Sequence, residues 1–276
     1  MTVINTNTNA LTVQNAVVLN ERDMTKAMEQ LSTGRRINSA ADDAAGLAIR
    51  NKMTAQIRSL DQAVRNANDG ISMLQTADGA TAEVTSMLIR MRELAIQSAN
   101  DIYTDDQRTA LNAEVTELKA EMLNIFNNTQ WNGSKLLKGQ AGNAGSVVYQ
   151  VGASSADKVT LTMGDLSANT DVAAIQSITI ATQTGANSAI GAVDLAMKHI
   201  DSERSKWGAV TNRLTHSADN ASNVSLNTKA ARSRIDDSDY AQATAELART
   251  LILDQAGKAM LSQANQQPMY VLALLR

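Results

Sequence analysis

The chain has 276 residues, with 25 Lys and Arg against 28 Asp and Glu, a net charge of −3, no cysteine and one proline. That balance leaves no basic stripe for nucleic acid, and without cysteine there are no disulfides, thiol catalysis or Cys-ligated metals. Phe, Trp and Tyr make up only 3% of residues, so a core must be built from Ala, Leu, Ile, Val and Met, the composition of long packed helices.

The N-terminal stretch MTVINTNTNALTVQN carries no Lys or Arg, and the first charge is Glu21. It does not read as a conventional signal peptide. No run of about 18 apolar residues predicts a membrane span, so a chain destined for export would leave by another route. Ile4, Leu11 and Val18 recur at heptad spacing, followed by Met24, Met28 and Leu31. From Ser39 to about Asn100 the pattern predicts one long helix, with Ser39 as N-cap and Asp42 in a capping box. Its stripe runs Met53, Ile57, Leu60, Val64, Ala67, Ile71, Leu74, Ala77, Thr81, Val84, Leu88, Met91, Ala95. Thr104 and Gln107 form a second capping box, opening a helix with a stripe at Leu111, Val115, Leu118, Met122 and Ile125. A short loop predicts antiparallel pairing of these two helices.

Between Thr129 and about Gln183 the period changes. Asn132-Gly133 is a favoured hairpin turn. Val147, Tyr149 and Val151 alternate with their neighbours, as do Val159, Leu161 and Met163, and Ile175, Ile178 and Ile180 lie in a Thr/Ser-rich run. These predict two or three strands or hairpins in an exposed region. Helical spacing resumes near Asn187, through Val193, Ile200, Trp207 and Leu214 to about Ile235. A last helix is expected from Ser238 to the tail QQPMYVLALLR, where Pro268 either kinks it or is tolerated within it. The fold class is mainly α: a long antiparallel helical coiled-coil or bundle rod formed by both chain ends, with a small β-hairpin region in the middle. The expected division is 1–40 with 236–276 as an inner terminal coiled coil, 41–138 with 187–235 as a helical core, and 139–186 as an exposed hairpin region.

Catalytic chemistry finds little support. His199 and His216 are seventeen residues apart, which matches no zinc spacing, and no phosphate-binding glycine motif occurs. The pairs Asp42-Asp43, Asp105-Asp106 and Asp236-Asp237 fall at expected helix starts, where carboxylates favour the helix dipole. The chain is read as a non-enzyme without metal or cofactor. What remains is surface for association, because amphipathic chain ends cannot bury their apolar faces alone. A head-to-tail contact that does not close a ring gives a helical filament.

Five segments carry a family resemblance: LSTGRRINSAADDAAGLAIRNKM (31–53), MRELAIQSAN (91–100), NTQWNGSKLL (128–137), ARSRIDDSDYA (231–241) and QAGKAMLSQANQQPMYVLALLR (255–276). Together they resemble bacterial flagellins over roughly 1–138 and 190–276. The resemblance implies a secreted subunit of the flagellar filament for swimming motility, exported unfolded by a type III apparatus, whose partners are itself, an export chaperone, and the cap and hook-junction proteins. The contrasting reading is a hook–filament junction protein of the same helical family. Only about fifty residues separate the matching ends, which implies a short form without large outer domains. Self-assembly is expected to use Ile4, Leu11, Val18, Leu247, Leu251, Met260, Leu261, Val271, Leu272, Leu274 and Leu275. The resemblance also implies a host toll-like receptor surface at Arg90, Leu94 and Glu114, and a segment read by cytosolic sensors at Leu272, Leu274 and Leu275. Neither nucleic acid nor a membrane is expected as a partner.

Overall fold

A computed structural model describes the backbone of residues 6–274 and the side chains of residues 6–267. In chain order the elements are α1 (Thr8–Thr33), α2 (Ala44–Ser98), α3 (Asp105–Asn128), β1 (Gln130–Trp131), β2 (Ser134–Lys135), β3 (Ser146–Gln150), β4 (Lys158–Thr162), α4 (Thr170–Ser177), α5 (Gln183–Asp236) and α6 (Tyr240–Leu274). At 1.5 Å per residue the 55 residues of α2 extend about 80 Å. The chain divides into a terminal unit, Met1–Ala55 with Asn227–Arg276, and a central unit, Gln56–Leu226.

In the central unit α2 pairs with both other long helices. Arg92 and Arg204 bind Asp194 and Asp78, each at 2.7 Å, and the Ser225 hydroxyl donates to Asp61 at 2.7 Å. Low numbers on α2 meet high numbers on α5, so these helices run antiparallel. The expected α2 stripe is buried at Ile57, Leu60, Ala67, Leu74, Ala77, Thr81, Val84, Leu88, Met91 and Ala95. It packs against Val115, Met122 and Phe126 of α3 and Val193, Ile200, Trp207 and Leu214 of α5. α3 opens with the expected capping box, Thr104 and Gln107 each bonding the other's backbone N–H. Arg108 closes the far end of α2 by donating to the Asn100 carbonyl at 3.0 Å, a cation placed where helix carbonyls are left over.

Asn132 and Gly133 both have positive φ, 48° and 79°, and join β1 to β2 in the tight turn that an Asn-Gly pair favours. β3 and β4 pair antiparallel from Ser146↔Thr162 to Gln150↔Lys158. Val159 and Leu161 point into the core, while Lys158, Thr160 and Thr162 are exposed. Tyr149 is buried against Met73, and that burial pushes its phenol pKa up to about 12. The strand expected around Ile175 is instead the helix α4. Asn169 caps it, its side chain accepting from the Asp171 N–H, and Val172 and Ile175 then fall three apart on a buried face. Capping chemistry outweighs the strand preference of the isoleucines.

In the terminal unit α1 and α6 pair antiparallel. Asn7 donates to the Ala264 carbonyl at 2.7 Å, Asn20 to Thr250 at 2.8 Å, and the Tyr240 hydroxyl to Leu31 at 3.0 Å. On α1 the covered positions are Val13, Val17, Asn20, Met24, Ala27 and Leu31; on α6 they are Ala243, Leu247, Thr250, Asp254, Gly257, Leu261 and Ala264. Both series alternate steps of four and three, the spacing of a coiled-coil seam. The seam mixes small and polar residues with Val13, Val17, Met24, Leu31, Leu247 and Leu261. A Cβ on Gly257 would lie 2.8 Å from Val17 Cγ2, so glycine there allows the helices to close.

Three helix starts differ from expectation. α2 begins at Ala44 rather than Ser39, because the Asp43 carboxylate accepts from the Gly46 N–H at 2.8 Å and thus takes the capping place. Asp42 instead ties the preceding turn. α6 is capped by Asp239, which accepts from the Ala241 and Gln242 N–H groups, rather than by Ser238. Asp236 ends α5 instead of starting a helix. The backbone of α6 runs through Pro268 to Leu274.

Candidate functional site

Three surfaces bear on function. The first is the outward face of the terminal unit. Leu11 and Val18, expected to serve self-assembly, lie off the α1–α6 seam and are exposed, Leu11 by 52%. Leu19 on α1, and Leu251, Ile252 (67%), Leu253 and Met260 on α6, are exposed as well. Leu247 and Leu261 sit on the seam, half-buried. Ile4 and Leu275 lie outside the described residues, and the side chains of Val271, Leu272 and Leu274 lie outside the described side chains. The helix pair therefore covers small and polar residues with a minority of its aliphatics, and leaves Leu11, Val18, Leu19, Leu251, Ile252 and Leu253 in water. Each such side chain would gain about 1.5–3 kcal/mol on full burial.

The second surface is the joint where two of the signature segments meet. Residues 34–38 run beside 235–238 as a short antiparallel bridge, with the Arg36 N–H donating to the Asp236 carbonyl at 2.6 Å and the Ser238 N–H to Gly34 at 3.0 Å. The Asp236 carboxylate is buried between Arg50, at 3.2 Å, and Arg35, at 3.8 Å. Arg50 also donates to the Ile37 carbonyl at 2.9 Å, and Ile37 itself is buried. The Arg36 guanidinium donates twice to the Ile235 carbonyl. Beside this knot the Asp42 carboxylate accepts from the Ser39 N–H at 3.0 Å and from Lys26 at 3.1 Å. The Ser39 backbone first, then the Lys26 ammonium, hold its pKa down at about 2.

The third surface is the expected receptor site in the central unit. Arg90 binds Glu114 of α3 at 2.8 Å and Glu93 at 3.1 Å, with all three side chains substantially exposed. Glu114 first, then Glu93, raise the Arg90 pKa above its already high ordinary value. Leu94 does not join them. It is 1% exposed and lies among the core side chains, so it can support this patch from below but offers no contact to a partner. Among the described residues no group of three or more His, Asp or Glu side chains is arranged to hold a metal.

Apolar counting along the sequence missed the joint, because its parts are charged and lie about 200 residues apart. It also missed Phe126, fully buried one position off the expected α3 stripe. The signal available was the doubled cation of GRRIN and the doubled carboxylate of RIDDS, which the fold brings together.

Long paired helices, a compact central core and an outward aliphatic face define a structural, self-associating helical protein. A bacterial flagellin N-terminal helical region matches residues 4–142 and a bacterial flagellin C-terminal helical region matches 190–275. The chain is 49% identical over 276 residues to a flagellin of Halalkalibacterium halodurans, covering 99% of this chain and 100% of that one. It is 40% identical over 303 residues to flagellin of Bacillus subtilis, covering 99% of each. A crystal structure of Bacillus cereus flagellin superposes with a TM-score of 0.51 at 31% identity, over 57% of this chain and 88% of that one. A structure titled as a flagellar hook-associated protein from Vibrio parahaemolyticus reaches a TM-score of 0.59, but at 16% identity the likeness is one of fold alone. The chain belongs to the bacterial flagellin family and is a structural subunit of the flagellar filament.

Proposed function

We propose that the outward aliphatic face of the terminal unit is where subunits join. Leu11, Val18, Leu251 and Met260 supply that face, and Leu247 and Leu261 hold the seam that displays it. Ile4, Val271, Leu272, Leu274 and Leu275 extend the contact toward the chain ends. The observation that carries this reading is the set of large aliphatics, Leu11, Val18, Leu19, Leu251, Ile252 and Leu253, that the helix pair leaves exposed. A face of that kind finds its burial in other copies of the same chain. Residues 1–40 and 236–276 then form the inner layer of the filament, 41–138 and 187–235 the layer around it, and 139–186 its exposed surface.

The remaining reading follows from family membership. The subunit passes unfolded through a type III export channel, held beforehand by a chaperone at α6, and meets the cap and hook-junction proteins during assembly. It performs no catalysis. Released monomer engages a toll-like receptor through Arg90 and Glu114, and the terminal leucines are available to cytosolic sensors. Salt-induced polymerisation followed by electron microscopy tests the assembly reading. Leu251→Glu keeps a good helix former but places a charge on the joining face, so it is expected to yield no filaments. Normal filaments from this variant would overturn the proposal.

A further inference from the structure

The described methionines span three degrees of burial, with Met24, Met53, Met87 and Met197 partly covered. Met73, Met91, Met122 and Met163 are buried in the central unit, while Met28 and Met260, both in the terminal unit, are exposed by 46% and 57%. Met260 sits at the rim of an open cavity of about 390 Å³ between α1 and α6, lined by Asn9, Thr12, Val13, Gln263, Ala264 and Gln267. Its side chain stands where solvent reaches the edge of the helix pair.

We propose that Met28 and Met260 are a redox-sensitive modification site that controls assembly. The proposal rests on the assembly reading given above. Hydrogen peroxide is the oxidant: the thioether sulfur attacks one peroxide oxygen, an S–O bond forms, and the O–O bond breaks. The sulfur is oxidised to the sulfoxide while the peroxide is reduced to water. Each event turns a flexible apolar side chain into a polar one. Burying that new dipole without a partner opposes subunit contact, and a methionine sulfoxide reductase reverses the change. The buried sulfurs of Met73, Met91, Met122 and Met163 are shielded. The partly covered Met87 and Met197 react more slowly than Met28 and Met260, so the central fold holds at a dose that oxidises the exposed pair.

The test treats full-length monomer with dilute peroxide, maps oxygen gain by peptide mass spectrometry, and measures the critical concentration for polymerisation. Met28 and Met260 should gain oxygen before Met73, Met91, Met122 and Met163, and the critical concentration should rise about tenfold. Reductase treatment should restore it, and Met28→Leu/Met260→Leu should polymerise equally well before and after peroxide. The proposal falls if monomer oxidised at both sites polymerises like untreated protein, or if the double leucine variant loses assembly to the same degree. Leu251→Glu is run alongside. If it polymerises normally, the assembly reading has failed; if it blocks assembly while oxidation has no effect, only the redox inference has failed.

Discussion

The two units of this chain solve opposite problems with the same few residue types. The central unit has a dense core, with Phe126, Trp207, Leu74, Leu88, Met91 and Leu94 all fully buried, although Trp131 and Ile102 stay exposed. The terminal unit places Ala27, Asn20, Thr250, Asp254 and Gly257 on its seam beside Val17, Met24, Leu247 and Leu261, and leaves Leu11, Leu19, Leu251 and Ile252 exposed. Amphipathic spacing alone therefore does not say which face is the core. A helix that belongs to a polymer can keep its small residues for its own partner and its large ones for its neighbours.

The contrast makes the units respond differently to mutation. The largest effect on stability should come from Phe126→Ala, which opens a cavity in a core with no exposed side to collapse from. A loss of about 3–5 kcal/mol is expected, seen as a lower midpoint in denaturant for the central unit. Leu94→Ala follows, at about 2–4 kcal/mol in the same assay. It serves a second purpose, since Arg90→Ala should weaken receptor signalling by monomer with little change in stability. Equal signalling loss without destabilisation in Leu94→Ala would place that side chain at the surface after all.

In the terminal unit the joint is the point of leverage. Asp236→Asn takes the counter-charge from the half-buried Arg50 and should cost about 1.5–3 kcal/mol, the worth of a hydrogen bond to a charged group. Hydrogen exchange should show faster opening in α1 and α6 while α3 is unchanged. The smallest effect is a pH dependence at Asp42. Its folded pKa, held at about 2, lies below the unfolded carboxylate value. Its contribution is therefore fully present above about pH 4 and is lost as pH falls through about 2. Asp42→Asn should flatten the acid limb of the stability curve in that window, leaving stability near pH 7 reduced by a fixed amount.

Much of the central unit was legible in the sequence. The α2 stripe from Ile57 to Ala95 is a long, regular apolar series, and the Thr104–Gln107 box and the Asn132-Gly133 turn are local chemistry. The α1–α6 seam was not legible, because Ile4, Leu11 and Val18 keep heptad spacing as strictly as Val13, Val17, Asn20 and Met24 do. Apolar counting favours the first set, while packing chose the second, where Asn20 reaches the Thr250 carbonyl and Gly257 admits Val17. α4 was missed because Asn169 and Asp171 signal a cap only when read together with the isoleucines that follow. Leu94 matches the receptor motif yet is buried in this chain, because a matching motif identifies a segment, not which of its side chains reach solvent.

The joining role of the exposed aliphatics in the terminal unit is the central claim, and one paired measurement tests it. Critical concentration for polymerisation and monomer helicity are determined for Leu251→Glu, on the outward face, and for Val17→Glu, on the seam. Leu251→Glu should keep monomer helicity and lose polymerisation, whereas Val17→Glu should lose both. If Leu251→Glu unfolds the terminal helices, or polymerises at the unmodified concentration, the aliphatic face is not the joining face.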